Sequence, residues 1–142
     1  MARALALAAP MIARTGDNPA VGCVIVKNGI VLGEAATGSG GRPHAEEQAV
    51  ELAGEDARGA TAYVTLEPCV ERSSGALSCS DLLLLAGVAR VVYAAADPHP
   101  KAGGAGPARL KAAGVAVAQG LMADEARAQN TAFFAAWDKP KT

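Results

Sequence analysis

Two apolar, β-branched runs on either side of the dipeptide Asn28-Gly29 constrain the fold of this chain most strongly. Residues 20–27 and 30–34 each have the composition of a buried β-strand. Asn-Gly is a preferred two-residue connection between antiparallel strands, because both residues readily adopt a positive φ angle. The sequence therefore predicts an antiparallel β-hairpin in the first quarter of the chain.

After this hairpin, predicted helices and strands alternate. The predicted helices are 2–14, 44–52, 79–86, 107–113 and 121–137, and the further predicted strands are 60–66, 88–95 and 115–118. Pro10 should kink the first helix or end it early, because proline lacks a backbone N–H. Such alternation places helices on both faces of a sheet. We therefore predict an α/β fold with three α-β-α layers and a mixed five-stranded sheet.

The composition is that of one folded domain over residues 1–142, with 51% hydrophobic and 19% charged residues. The formal net charge is −1, from 13 basic and 14 acidic residues, which does not favour duplex nucleic acid or an anionic membrane as a partner. Aromatic residues make up only 4%, so stacking platforms for single-stranded nucleic acid are not expected either. No run approaches the roughly 18 apolar residues of a membrane span. We expect a soluble cytoplasmic protein.

Three cysteines do not make a disulfide framework in a chain of 142 residues. Cys69 and Cys79 flank a polar loop, which favours metal binding in a reducing compartment. Cys23 lies within the first predicted strand and is expected in the core.

His44, Glu46, Cys69 and Cys79 together predict a catalytic zinc site. Histidine nitrogen and cysteine thiolate are common zinc ligands, and three protein ligands leave a fourth position for water. Zinc lowers the pKa of such a water to about 7. Glu46, two residues after His44, could carry protons between water, substrate and leaving group. The alternative is a surface histidine with two buried free thiols.

These residues resemble the His-X-Glu and Pro-Cys signature of the cytidine deaminase superfamily. Most of the chain, from about residue 4 to 134, resembles one branch of it, the deaminase half of the bifunctional riboflavin-biosynthesis deaminase-reductase. The matching segments are Asn-Pro-Ala-Val-Gly-Cys-Val-Ile-Val at 18–26, Pro-His-Ala-Glu at 43–46 and Thr-Leu-Glu-Pro-Cys at 65–69.

The resemblance implies a cytidine-deaminase-like fold and a hydrolase that removes an amino group from a pyrimidine-like ring. In that branch the small-molecule substrate is a diaminopyrimidinone ribosylamine 5′-phosphate. The implied zinc ligands are His44, Cys69 and Cys79, with one ion per chain. Glu46 would be the proton shuttle. Asn18 would contact the ring or ribose, and the backbone at Ala45 would face the ring.

The loop at 70–78 departs from the pattern of that branch, which has His-Gly-Arg/Lys-Thr-Pro-Pro there. Arg72 and Ser73 are candidate phosphate contacts, or part of a solvated loop. His99 stands where the branch has asparagine, and it is a candidate pocket residue or a surface residue. Deamination of another base, nucleoside or aminated heterocycle is therefore an alternative.

A non-catalytic zinc-stabilised binding domain is a further alternative, against which Glu46 argues because a structural site needs no such carboxylate. The leucine run at 82–85 is apolar on all sides of its predicted helix. An oligomer interface would cover it, so we expect a homodimer or homotetramer.

Overall fold

A computed structural model of the chain describes residues 1–16, 18–69, 77–98 and 104–137. The strands are β1 (Gly22–Lys27), β2 (Ile30–Ala36), β3 (Thr61–Leu66), β4 (Arg90–Ala95) and β5 (Ala116–Gln119). The helices are α1 (Ala2–Ala8), α2 (Ala45–Ala53), α3 (Cys79–Ala86), α4 (Ala105–Ala112), α5 (Ala123–Gln129) and α6 (Thr131–Trp137). Among the helices of these residues, none is both long and apolar enough to cross a bilayer.

In the described residues, the strands form one mixed five-stranded sheet in the order β2-β1-β3-β4-β5. β1 pairs antiparallel with β2 and β3, whereas β3, β4 and β5 run parallel. The predicted hairpin is confirmed, because Asn28 and Gly29 connect β1 to β2 with φ angles of 53° and 77°. Positive φ at both residues is the type I′ geometry that matches the twist of the flanking strands.

Helices cover both faces of the sheet, as predicted. Gly22 in β1 lies against the carbonyl of Ala4 in α1, and Gly33 in β2 lies against the carbonyl of Ala49 in α2. The pairing of Ile25 with Gly33 puts Gly33 on the sheet face opposite to Gly22. A Cβ atom at either glycine would overlap the helix backbone. These two glycines therefore let α1 and α2 approach the sheet closely from opposite sides.

The core lies between the sheet and these helices. Its largest fully buried side chains include those of Ile25, Val64, Leu83, Val91 and Leu110. The leucine run at 82–85 in α3 is only partly covered within the single chain, because Leu85 is 66% exposed.

The two ends of the chain differ from the predicted helices. The first helix ends at Ala8, and Ala9–Met11 forms a 3-10 turn containing Pro10, as the missing N–H of proline predicts. The prediction of one continuous helix over 121–137 was wrong. Asn130 has φ −126° and ψ 46°, which separates α5 from α6. Its side chain instead forms hydrogen bonds to the backbone before β1.

Candidate metal centre and active site

The first part of the site is the start of α2. His44 is the N-cap residue of this helix, and its backbone N–H donates to Glu47 Oε1 at 3.0 Å. Gln48 Nε2 donates to the carbonyl oxygens of Ala36 at 2.7 Å and Pro43 at 3.2 Å. Because these bonds join the helix start to the end of β2, the backbone that carries His44 is held against the sheet.

The second part is the segment that follows β3. The backbone N–H of Glu67 donates to the carbonyl of Ala95 at 2.9 Å, which continues the sheet pairing past Leu66. At the far end, Ser80 N–H donates to the carbonyl of Cys69 at 3.0 Å, and Ser80 Oγ donates to the carbonyl of Pro68 at 3.3 Å. The segment is thus joined to the start of α3.

The third part is the start of α3 itself. Ser78 is the N-cap residue, and its side-chain oxygen accepts a hydrogen bond from Asp81 N–H at 3.0 Å. Cys79 is the first residue of the helix and is buried. The positive end of a helix would help to stabilise the Cys79 thiolate when it binds a metal ion.

The side chains of His44, Cys69 and Cys79 meet in one cluster. His44 Nδ1 lies 3.3 Å from Cys79 Sγ, and the backbone N–H of Cys79 donates to Cys69 Sγ at 3.2 Å. One ligand atom from each residue lies within 4.8 Å of the other two. Ligand atoms around a tetrahedral zinc ion are about 3.6 to 3.8 Å apart, from the usual zinc–nitrogen and zinc–sulfur bond lengths. The donor set and its spacing therefore fit zinc.

The hydrogen bond between the two cysteines shifts their thiol pKa values in opposite directions. A hydrogen bond from Cys79 lowers the pKa of Cys69 to about 4, with a smaller contribution from His44. The same hydrogen bond raises the pKa of Cys79, and burial raises it further. Both sulfurs would bind zinc as thiolates, so metal binding would release the thiol protons of the pair.

Glu46 is a buried carboxyl group beside this cluster. It is the second residue of α2 and is 5% exposed. Burial raises its pKa to about 7, against a smaller lowering by a backbone hydrogen bond. It also forms a side-chain hydrogen bond with Cys79. A carboxyl group in this state can both accept and donate a proton near neutral pH.

The other predicted site residues are placed as follows. Ala45 is fully buried at the start of α2. Asn18 is exposed, and its side-chain nitrogen lies against Gly41, three residues before His44. The candidate substrate residues Arg72, Ser73 and His99 lie outside the described residues.

Sequence reasoning included Glu67 and Asn130 in matching segments but assigned neither of them a role. Glu67 is 5% exposed, and its carboxylate accepts hydrogen bonds from the backbone N–H groups of Asp97 and Gly104. Its place directly before Pro68-Cys69 was the available signal. Asn130 was hidden in an amphipathic helical pattern.

The cluster residues and Glu46 lie within a part of the chain that matches a known protein family. Residues 1–95 match the family described as the cytidine and deoxycytidylate deaminase zinc-binding region. The chain belongs to this deaminase family. The predicted superfamily, the deaminase class of enzyme and the zinc cofactor are confirmed at this level.

Individual relatives narrow the branch. The riboflavin biosynthesis protein RibD of Escherichia coli (strain K12) is 51% identical over 133 residues, which is 94% of this chain and 36% of that protein. The diaminohydroxyphosphoribosylamino-pyrimidine deaminase of Buchnera aphidicola subsp. Acyrthosiphon pisum is 46% identical over 120 residues, which is 84% of this chain and 81% of that protein. The chain thus spans about a third of RibD but most of the Buchnera deaminase.

A solved structure confirms the predicted fold. The structure of Acinetobacter baumannii RibD, form 2, superposes with a TM-score of 0.92 at 43% identity, covering 97% of this chain and 39% of that chain. The resemblance to the riboflavin-biosynthesis branch is therefore confirmed as well.

Proposed function

We propose that this deaminase removes the amino group from a diaminopyrimidinone ribosylamine 5′-phosphate of riboflavin biosynthesis by hydrolysis. The observation that carries the proposal is the buried Glu46 carboxyl group beside the cluster of His44, Cys69 and Cys79. The substrate class is supported by the Buchnera relative, whose name states a deaminase of such a pyrimidine.

In this proposal His44, Cys69 and Cys79 hold the zinc ion. When bound, zinc supplies Lewis-acid activation of a water nucleophile at neutral pH. The protein keeps both sulfur ligands in place through the backbone of α3, since Cys79 N–H donates to Cys69 Sγ and Ser80 N–H donates to the Cys69 carbonyl.

Glu46 moves the protons of the reaction. One carboxylate oxygen accepts a proton from the attacking water and delivers it to the ring nitrogen. A second proton transfer through the same carboxyl group protonates the exocyclic amine. Water thereby supplies the new carbonyl oxygen of the ring, and ammonia leaves. Burial raises the pKa of this carboxyl group above its ordinary value, which favours the protonated form that the donating steps need.

The remaining site residues complete the proposal. Asn18 and the backbone at Ala45 are the proposed contacts to the ring or ribose, Arg72 and Ser73 are the proposed contacts to the phosphate, and His99 is a proposed pocket residue. The substrate is a small molecule, and residues 1–142 act as one deaminase domain. We further propose a cytoplasmic location and a homodimer or homotetramer. The oligomer is supported by Leu85 on α3, which is 66% exposed and which an interface between subunits would cover.

The test is ammonia release from a panel that contains this phosphate, its dephosphorylated form, cytidine, deoxycytidylate and free aminated bases. Glu46→Gln should lower the rate by about a hundredfold or more, because a positioned acid-base group is worth that much. Glu51→Gln is the matched control, since Glu51 is an exposed carboxylate on the same helix. It should retain the wild-type rate.

Two results would contradict the proposal. Faster turnover of a different panel member would show that this compound, and not the proposed phosphate, is the preferred substrate. An equal rate for wild type and Glu46→Gln on every compound would remove Glu46 as the proton shuttle, and rates no higher than without protein would leave a zinc-stabilised binding domain.

A further inference from the structure

The side chain of Asn130 pairs with both backbone polar groups of Ala20, 110 residues earlier in the chain. Ala20 N–H donates to Asn130 Oδ1 at 2.8 Å, and Asn130 Nδ2 donates to the Ala20 carbonyl at 2.8 Å. A side-chain amide offers a donor and an acceptor side by side, so it can form both bonds at once. Two bonds of opposite direction fix the orientation of the Ala20 backbone as well as its position.

Ala20 needs such a partner because it is buried but precedes the sheet. It is 1% exposed, and the pairing of β1 with its neighbours begins at Gly22. Buried backbone groups left without a hydrogen bond are costly. Asn130 thus supplies the pairing that a neighbouring strand supplies farther along β1.

Residues Asn18, Pro19 and Ala20 form what we call the Asn18 segment. At its other end, Thr15 Oγ1 donates to the Asn18 carbonyl at 2.6 Å, and Asn18 N–H donates to the Thr15 carbonyl at 3.2 Å. Thr15 is itself 2% exposed. The segment is therefore held at both ends, with a φ-restricted proline between the two anchors.

The Asn18 segment lies beside the loop that leads to the metal cluster. A Cβ atom on Gly41 would overlap Asn18 Nδ2, so the amide lies directly over that glycine. The hydrogen bond from Gly38 N–H to the Pro43 carbonyl, 3.0 Å, closes this loop next to His44. Asn18 as a residue is exposed, so the segment lies at the protein surface.

We propose that Asn130 is a positioning residue for substrate binding, which acts through Asn18 by fixing the Asn18 segment. The inference rests on the proposed function, in which Asn18 contacts the substrate. Loss of the Asn130 amide frees the Ala20 end of the segment, and displacement of a binding group by about 1 Å is enough to weaken its contribution severely.

A double-mutant cycle tests the proposal on the diaminopyrimidinone ribosylamine 5′-phosphate, with Asn130→Ala, Asn18→Ala and the double variant. Asn130→Ala should raise KM about tenfold and lower kcat much less. Asn18→Ala should raise KM by a similar factor. The double variant should be no worse than Asn18→Ala alone, because residues that act in series are not additive.

Asn130→Asp is a second variant in case Asn130→Ala is too unstable to assay. It keeps an acceptor for Ala20 N–H but loses the donor to the Ala20 carbonyl. Its KM should also rise. Thr131→Ala is the matched control, since Thr131 is the exposed next residue, and its KM should equal that of the wild type.

Three outcomes would overturn the inference while wild-type turnover leaves the proposed function standing. They are an unchanged KM in Asn130→Ala or Asn130→Asp, an unchanged KM in Asn18→Ala, or a full multiplication of the two factors in the double variant. Absence of turnover by the wild type on this substrate would instead contradict the proposed function itself.

Discussion

His44 Nδ1 lies 3.3 Å from Cys79 Sγ, although 35 residues separate them in the chain. One is the N-cap residue of α2 and the other is the first residue of α3. Two helix starts therefore meet at the end of β3, where Cys69 joins them. The geometry of the cluster therefore depends on how these three backbone segments are held.

Substitution of any one of the three cluster residues should remove zinc. Cys69→Ala, Cys79→Ala and His44→Ala should each bring the metal content, measured by atomic emission, well below one ion per chain. The melting temperature should fall as well, because zinc bound only to the folded state stabilises it.

Cys23→Ala is the matched control for the two cysteine variants. Cys23 is buried in β1, and burial raises its thiol pKa well above the usual range. This variant should lose some stability through the small cavity but keep its zinc. Full zinc in Cys69→Ala would show that Cys69 is not a ligand.

Gly106→Ala should weaken zinc binding. Gly106 is in α4, and a Cβ atom there would overlap the Pro68 carbonyl and lie 2.7 Å from Ser80 Oγ. Alanine gains about 1 kcal/mol of helix propensity, but overpacking costs about 1 to 3 kcal/mol. The neighbouring Cys69 should shift, and zinc should be lost faster to a chelator in a competition assay.

Gly22→Ala separates that effect from a general loss of stability. A Cβ atom at Gly22 would overlap the Ala4 carbonyl in α1, a comparable clash in another part of the core. Both variants should have lower melting temperatures, but only Gly106→Ala should release zinc faster. Equal chelator kinetics in the two variants would contradict the prediction.

Ser78→Ala should destabilise the start of α3. The Ser78 side chain accepts the Asp81 N–H bond at 3.0 Å and is 2% exposed. Loss of an N-cap costs about 1 kcal/mol, which corresponds to about 3 to 4 °C in the melting temperature of a domain of this size. Ser39→Ala, at an exposed serine, is the control and should shift it by less than about 1 °C. A matching shift in both variants would show that the cap is not the cause.

The ion pair between α1 and β2 should have a small effect that depends on pH. Arg3 donates to both carboxylate oxygens of Glu34, at 2.9 and 2.7 Å, and this hydrogen bonding lowers the pKa of Glu34 below its ordinary value. Because the folded-state pKa is depressed, the stabilisation is present above the unfolded-state pKa and is lost as the pH falls through the folded-state pKa.

Arg3→Gln should therefore raise the Glu34 pKa, measured by NMR titration. The pair is exposed, so the melting temperature at neutral pH should change little, and high salt should reduce the difference further. An unchanged Glu34 pKa in Arg3→Gln would mean that the pair does not persist in solution.

Much of the fold was predictable because its signals are local. Asn28-Gly29 predicts the hairpin through its backbone preferences, and Pro10 predicts the early end of the first helix. His44 and Cys79 could be placed at helix starts from the apolar periodicity that follows each of them. The close contacts at the glycines 22, 33 and 106 could not be predicted in this way, because they are made with the backbone of another element or segment that is distant in the sequence.

By itself, the sequence determined the order of helices and strands, the deaminase family and the donor types of the candidate metal site, since each follows from residue chemistry or from a short pattern. Only the tertiary structure decided that Asn130 interrupts the last helix and pairs with Ala20. The physical reason is that the buried backbone N–H and carbonyl of Ala20 have no strand beside them, and the side chain of a residue 110 positions away forms hydrogen bonds to both. The sequence pattern of neither segment indicates these hydrogen bonds, because the two segments meet only once the sheet and α5 are packed together.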